Sequence, residues 1–387
     1  MPRALHPLLL RNCIPADWYS KFFCWNAVSA LVVLALAAGA PPAMATPVDL
    51  PPLQPGQVVR LGPAAGTGTP TGDYGIGATD LCEFMEFPEQ ILQVCGDSFR
   101  GQGVGFGGWF SPIALHVEGD SLDDPAGVRY DGVTGIDTPL LADPPPPGIS
   151  QLPAGVVEIN RENYLLITTT KELRPQTSRL VKAVPGQGNW ATVPGSERDA
   201  DYAGGRQSQI SGYYDPIPTA ESERGWIYLV ANNFDRSGPV VLYRVPPQSF
   251  TDRDMWQGWS DTRGWGHDPT PLWGDWVGEM SVRQIDGRTV LSYFNASTGN
   301  MEMRVADDPT GLGAAPITTV VVASDWPDPV EHLPPPEINR LAQPYGGYIS
   351  PGSRLDAVRV FVSQWNTELR GGAPYRVIQF AVNPFEA

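Results

Sequence analysis

Histidine and cysteine are scarce in this sequence, four of each among 387 residues, and their placement removes whole classes of chemistry. Cys13 and Cys24 lie in an N-terminal segment that reads as a targeting leader, which leaves Cys82 and Cys95 for the folded part. The histidines beyond the leader are His116, His267 and His332, none at ligand spacing from a cysteine, so a zinc site is disfavoured. No G-x-S-x-G precedes a helical pattern, which argues against a serine hydrolase, and no P-loop supports phosphoryl chemistry. No cofactor is expected, with a structural calcium in a central channel as the alternative, one that no D-x-D-x-D-G loop supports.

Basic charge is also short, with 26 Lys and Arg against 42 Asp and Glu. Such a surface repels phosphate backbones, so nucleic acid is a poor partner, whereas neutral polymers carry no such penalty. Long apolar runs are missing after residue 45. Before it, Arg3, Arg11 and Lys21 precede an apolar run from Ala27 to Ala40 and the small-residue site Ala43-Met44-Ala45, the layout of a secretory signal. Asn26 and Pro41-Pro42 hold that run to about 14 residues, short of a bilayer span. Residues 1–45 are therefore expected to be cleaved, with an uncleaved anchor as the alternative, and no membrane span is expected afterwards. What remains has 23 basic and 41 acidic residues, net −18. An exported, oxidising setting makes a Cys82–Cys95 disulfide the expected state.

What the chain has in quantity is glycine and proline, 42 and 41 residues, which implies many turns and few long helices. Residues 46–63 read as a Pro-rich lead-in, and residues 64–387 as one domain. Short apolar strands then recur: Ile91 to Cys95, Tyr164 to Thr169, Trp226 to Ala231, Val290 to Phe294 and Val358 to Ser363. Their centres Leu92, Leu165, Ile227, Leu291 and Phe361 are 73, 62, 64 and 70 residues apart. Each is followed by a partner strand, at Phe110 to Val117, Arg179 to Ala183, Val240 to Val245, Met301 to Val305 and Tyr375 to Val382. Pro-rich breaks at Pro144 to Pro147 and Pro334 to Pro336 fall between units. Regular strand units with no helical period between them predict an all-β fold closed by radial repetition, a five-bladed β-propeller. A pair of β-sandwiches is the alternative.

The segment from Gly77 to Phe99 carries the most information. Read as a hairpin folded at Pro88-Glu89, it pairs residues whose numbers sum to 177. Cys82 then faces Cys95, and Asp80 faces Asp97 two residues further along the same face. Opposed residues have Cβ atoms about 4.5 to 5.5 Å apart, where like charges destabilise. Close carboxylates split their pKa values, supplying a general acid and a base or nucleophile from one residue type, as glycoside hydrolysis requires. The bland alternative is a turn-capping Asp80 and a loop Asp97, both solvated.

At Thr79-Asp80-Leu81, Cys95-Gly96-Asp97-Ser98-Phe99, Trp109-Phe110-Ser111, Gly278-Glu279-Met280-Ser281-Val282, Tyr345-Gly346-Gly347-Tyr348 and Ser363-Gln364-Trp365, the sequence resembles a known family. It is the domain-of-unknown-function family numbered 4185, placed among glycoside hydrolases as family 183. The resemblance implies a five-bladed propeller acting as an endo-D-arabinofuranosidase on the arabinan of arabinogalactan and lipoarabinomannan in waxy-walled actinobacteria. It implies Asp80 and Asp97 as the catalytic pair. Cys95 departs from the family, which often has an aromatic residue there, and the connectors around Asp120 to Pro153 are longer.

Other residues extend the expected site. Glu279 opens the strand of the fourth unit and is a candidate third carboxylate. Trp109 and Tyr348 are candidate sugar-stacking residues, and Gln209 and Arg206 candidate glycan donors. Each has a plain alternative as a strand-end, core or turn residue. The expected protein is a secreted or envelope-associated monomer acting on cell-wall polysaccharide. Its rivals are a non-catalytic glycan-binding or scaffold propeller and a sialidase-like propeller. The latter lacks its repeated S-x-D-x-G-x-x-W turns, since Pro185 to Trp190 has no Asp and Ser260 to Trp265 has the wrong spacing.

Overall fold

In a computed structural model of the chain, the described residues are 50–327 and 339–386. The expected leader, residues 46–49 and Pro334 to Pro336 lie outside them. Among the described residues there is no α-helix, only short 3₁₀ turns between strands, and no helix long and apolar enough to cross a membrane.

The strands run in chain order as follows. β1 (Val58–Gly66) and β2 (Ala78–Thr79) precede β3 (Glu83–Phe87), β4 (Gln90–Cys95), β5 (Ser98–Phe99), β6 (Trp109–Phe110), β7 (Ile113–Val117) and β8 (Tyr130–Thr134). β9 (Ser150–Ile159), β10 (Glu162–Lys171), β11 (Arg174–Lys182) and β12 (Arg198–Asp199) form the second group. The third comprises β13 (Gln209–Asp215), β14 (Trp226–Asn232), β15 (Val241–Val245), β16 (Gln257–Ser260) and β17 (Gly264–Trp265). The fourth comprises β18 (Val277–Ile285), β19 (Arg288–Asn295), β20 (Met301–Ala306), β21 (Thr318–Ser324) and β22 (Arg340–Ala342). β23 (Pro344–Ile349), β24 (Val358–Trp365) and β25 (Tyr375–Val382) end the chain.

All five sequence centres fall on the second strand of a meander, β4, β10, β14, β19 and β24, and each expected partner strand is the strand that follows it in its ladder. The groups are mostly separate sheets: β3-β4-β7-β8, β18 to β22, and β1-β25-β24-β23. The second and third join into a nine-stranded sheet through one parallel pair, Gly212↔Val157. That contact needs glycine, because a Cβ on Gly155 would sit 1.8 Å from the Ile210 carbonyl oxygen.

Apolar alternation along the strands puts the core between sheets rather than at one centre. Met85, Leu92, Leu165 and Val181 pack the first group on the second, and Leu166, Leu180, Ile227 and Tyr243 the second on the third. Val230, Leu242, Leu291 and Met280 join the third to the fourth, and Val290, Met301, Val360 and Phe380 the fourth to the last. Phe84, Ile113, Phe361 and Val377 pack the last against the first. The sheets are thus linked in sequence by apolar layers, not by hydrogen bonds into one closed sheet.

The lead-in, expected to stop ahead of the domain, instead enters the fold. From Val58 it is β1, paired antiparallel with β25 from Val58↔Val382 to Gly66↔Arg376. Leu50 and Leu53 are buried against Ala357 and Ala381. An unpaired β25 would expose a row of backbone donors and acceptors, and β1 covers it.

Candidate active site

The hairpin has the register read from the sequence. β3 and β4 pair from Glu83↔Val94 to Phe87↔Gln90, and beyond them β2 and β5 resume the same register at Thr79↔Ser98 and Ala78↔Phe99. Between the two ladders lie residues 80–82 and 95–97. There Cys82 and Cys95 form a disulfide with Cα atoms 3.9 Å apart, and the Gly96 amide donates to the Asp80 carbonyl oxygen at 2.9 Å. Asp80 and Asp97 therefore oppose each other where the chain leaves one sheet for another.

The break stores strain. Leu81 has φ +48°, a left-handed conformation that costs a side-chain-bearing residue about 1–2 kcal/mol. The disulfide on one side holds it, and its amide donates to Ser363 Oγ at 2.9 Å on the other. Gly96 permits the close approach, since a Cβ there would stand 3.0 Å from Asp80 Oδ1.

Asp80 is 5% exposed. Its Oδ2 accepts from the Tyr345 hydroxyl at 2.7 Å, while Oδ1 is buried without a partner. Burial, then the neighbouring Asp97, push its pKa up to about 8, against the opposing influence of the Tyr375 and Tyr345 hydroxyls. Asp97 is half-buried, and its Oδ1 accepts from Trp109 Nε1 at 2.7 Å. Burial raises its pKa as well, opposed by the hydrogen bonds from Trp109 and Ser111. Trp109 itself is 44% exposed, so its ring faces solvent beside the acids.

Glu279, near the start of β18, is buried. Its Oε1 accepts twice from Arg236, at 3.1 Å from Nε and 2.5 Å from Nη2, and its Oε2 is buried without a partner. Arg236 lies 5.0 Å from the Phe294 ring centroid and 5.3 Å from that of Tyr345, so the tyrosine that holds Asp80 is also the platform for the cation that holds Glu279. Glu279 lies close enough to Asp80 for its charge to add to the rise in that carboxyl's pKa.

The remaining candidates divide. Tyr348 is 1% exposed, so it has no face for a sugar. It is a buried ring among Asp80, Glu83, Glu279 and Arg236, whose charges all act on its hydroxyl. The expectation of stacking there gives way to packing, because Gly346 and Gly347 let this strand press against Leu81 and Met301. Gln209 is buried at the start of β13, its Oε1 without a partner. Arg206 donates to the Pro269 carbonyl oxygen at 3.3 Å and serves the turn reading. Among the described residues, the hydrogen bonds and ion pairs of the acids involve neither Gln209 nor Arg206.

Tyr345, Tyr375 and Arg236 were not singled out from the sequence. The signal the sequence holds is the aromatic pair in Tyr345-Gly346-Gly347-Tyr348, of which Tyr345 rather than Tyr348 bonds to Asp80. The polar interior also continues beyond the acids. At the other end of the first strands of the groups, a cavity of about 310 Å³ is lined by Glu83, Glu86, Glu158, Asn163, Ser211 and Arg283 among others, and neither aspartate lines it. Burial pushes Glu83 to about 8 despite the opposing charge of Arg283. No group of three or more His, Cys, Asp or Glu able to hold a metal ion occurs among the described residues.

Fold and site together define an all-β protein of serially packed antiparallel meanders with an opposed aspartate pair. The chain belongs to the family described as Domain of unknown function (DUF4185), whose profile matches residues 65–381. It is 75% identical over 330 residues to an uncharacterized 35.9 kDa protein of the asd 3′ region from Mycolicibacterium smegmatis, covering 85% of this chain and 99% of the relative. A candidate hydrolase from Bacteroides ovatus is similar in fold, with TM-score 0.51 and 14% identity over 79% of this chain and 86% of that one. The α-L-arabinofuranosidase of Podospora anserina, solved with cellotriose, aligns with TM-score 0.47 and 11% identity over 84% and 97%.

Proposed function

We propose that the chain is an exported, endo-acting glycoside hydrolase that cleaves D-arabinofuranose linkages in cell-wall arabinan, built as a five-bladed propeller. The observation that carries this reading is the aspartate pair, opposed in one register, with Asp80 near 8. The five interleaved apolar layers, the fifth between the last group and the first, support the radial arrangement.

At neutral pH, Asp80 keeps its proton and acts as general acid, giving it to the glycosidic oxygen as the bond to the anomeric carbon breaks. Asp97, half-exposed and fixed by Trp109, acts as base or nucleophile, so that water supplies hydroxide to the anomeric carbon and the second proton returns to the pair. Glu279, neutralised by Arg236, is the third carboxylate. The test is incubation of the protein with purified arabinogalactan, scored for released oligosaccharides beside Asp80→Asn and Asp97→Asn. The expected outcome is release by the unaltered protein alone. Equal release by all three would remove the aspartate pair as the catalytic groups, and release by none would count for a non-catalytic glycan-binding propeller.

A further inference from the structure

Ten tryptophans lie among the described residues, and two of them are more than a third exposed, Trp109 at 44% and Trp276 at 57%. Single exposed apolar residues are ordinary, but one of these is bonded to the acid pair and the other lies two residues from a strand start that abuts the same polar cluster. Trp109 bonds to Asp97, Asp97 opposes Asp80, and Asp80 holds Tyr345. Arg236 stacks on Tyr345 and grips Glu279. A Cβ on Gly278 would stand 3.1 Å from Arg236, so this strand start lies directly against the arginine. Two residues earlier is Trp276.

The Trp276 backbone is pinned on both sides. Its amide donates to Ser297 Oγ at 3.2 Å, and its carbonyl oxygen accepts from the Ala296 amide at 2.9 Å. The indole is therefore presented from a fixed main chain, yet is left largely uncovered. Within that cluster the Arg236 side chain is 38% exposed and can donate to a hydroxyl while still holding Glu279.

We infer that Trp276 is a sugar-stacking subsite on the opposite side of the acid pair from Trp109, with Arg236 between them as a hydroxyl donor. The ligand class is a neutral polymer of hydroxylated rings that spans both indoles. This rests on the glycosidase reading and deepens it: binding on both sides of the acids is what internal cleavage of a polymer needs. The expected contact is apolar ring face against C–H face, with orientation from the arginine.

The test uses Trp276→Ala, with Ile217→Ala as control. Ile217 is 66% exposed just past the far end of β13, away from this cluster. Binding is measured by affinity electrophoresis in an Asp80→Asn background, so that no ligand is consumed, on arabinogalactan, arabinoxylan, a β-galactan and a D-arabinofuranose disaccharide. Loss of one stacked ring predicts polymer binding weakened on the order of tenfold by Trp276→Ala, far less change for the disaccharide, and none for Ile217→Ala. With Asp80 intact, Trp276→Ala shifts the lengths of released products. Unchanged binding of every polymer by Trp276→Ala, or no binding of any polymer by the parent, overturns the subsite. Trp276-dependent binding of arabinoxylan or galactan without cleavage of arabinogalactan keeps the subsite and removes the arabinan assignment.

Discussion

Asp80 is the residue on which folding and chemistry oppose each other. An exposed aspartate would be ionised at neutral pH, but burial and Asp97 raise its pKa from 3.8 to about 8. The folded chain therefore binds this proton more tightly than the unfolded chain. Its contribution to stability is fully present below about 3.8 and is lost as pH rises through about 8. Asp80→Asn cannot ionise, so its melting temperature should exceed that of the unaltered protein from neutral to alkaline pH, by a few °C, with the gap closing toward about pH 4. The same substitution should lower activity by about 10²–10⁴-fold, as loss of a general acid does. Paired melting curves and assays across that range check both, and an Asn variant that is less stable at alkaline pH would contradict the buried-acid account. The proposed hydrolytic activity of the unaltered protein should fall as pH rises through about 8, where Asp80 gives up its proton. Gly96→Ala tests the packing beside it. The new Cβ would stand 3.0 Å from Asp80 Oδ1 and 3.3 Å from Leu81 Cβ, so activity should fall sharply while the melting temperature drops only modestly.

At the scale of the element, the hairpin shows what sequence pattern can and cannot carry. Its register was legible because one constraint, a disulfide between neighbouring strands, fixes every pair, and a slip of one residue would have moved each side chain to the other face. The five second strands were legible because apolar runs of strand length recur at similar spacing. What pattern could not show is who reaches across. Tyr345 meets Asp80 over a separation of 265 residues, and Arg236 arrives on a turn with φ +62° that has no strand signal. The same blindness misplaced Tyr348, since a tyrosine's sequence neighbours do not reveal which ring lies beneath a carboxylate. The disulfide makes its own prediction. The bridge closes a short loop, Cys82 to Cys95 being 13 apart in sequence, and such a loop contributes about 3 kcal/mol. Cys82→Ala with Cys95→Ala should lower the urea midpoint accordingly. It should also reduce activity under conditions where the fold persists, because Leu81 then keeps its strained φ with only Ser363 to hold it.

For the whole folded unit, the decisive feature is how the last group of strands is completed. β23, β24 and β25 come from the end of the chain, but their outer neighbour is β1 from its beginning. The family profile begins at residue 65, so most of that strand precedes the matched region. The pairing still bears on the site. Just after β1, Thr67 Oγ1 accepts from the Tyr375 amide at 2.9 Å, Tyr375 faces Asp80, and Ala64 and Ala65 belong to the apolar layer between the last group and the first. A chain that starts after Gly66 would bare the β25 edge and open that layer. It should lose cooperative melting and associate through the exposed edge, as size-exclusion chromatography would register. A chain that starts at Leu50 should melt as one transition and keep the pH dependence set by Asp80. If the shorter chain instead stayed monomeric and active, the apolar layers between the sheets alone would hold the fold together, and β1 would be a cover rather than a clasp.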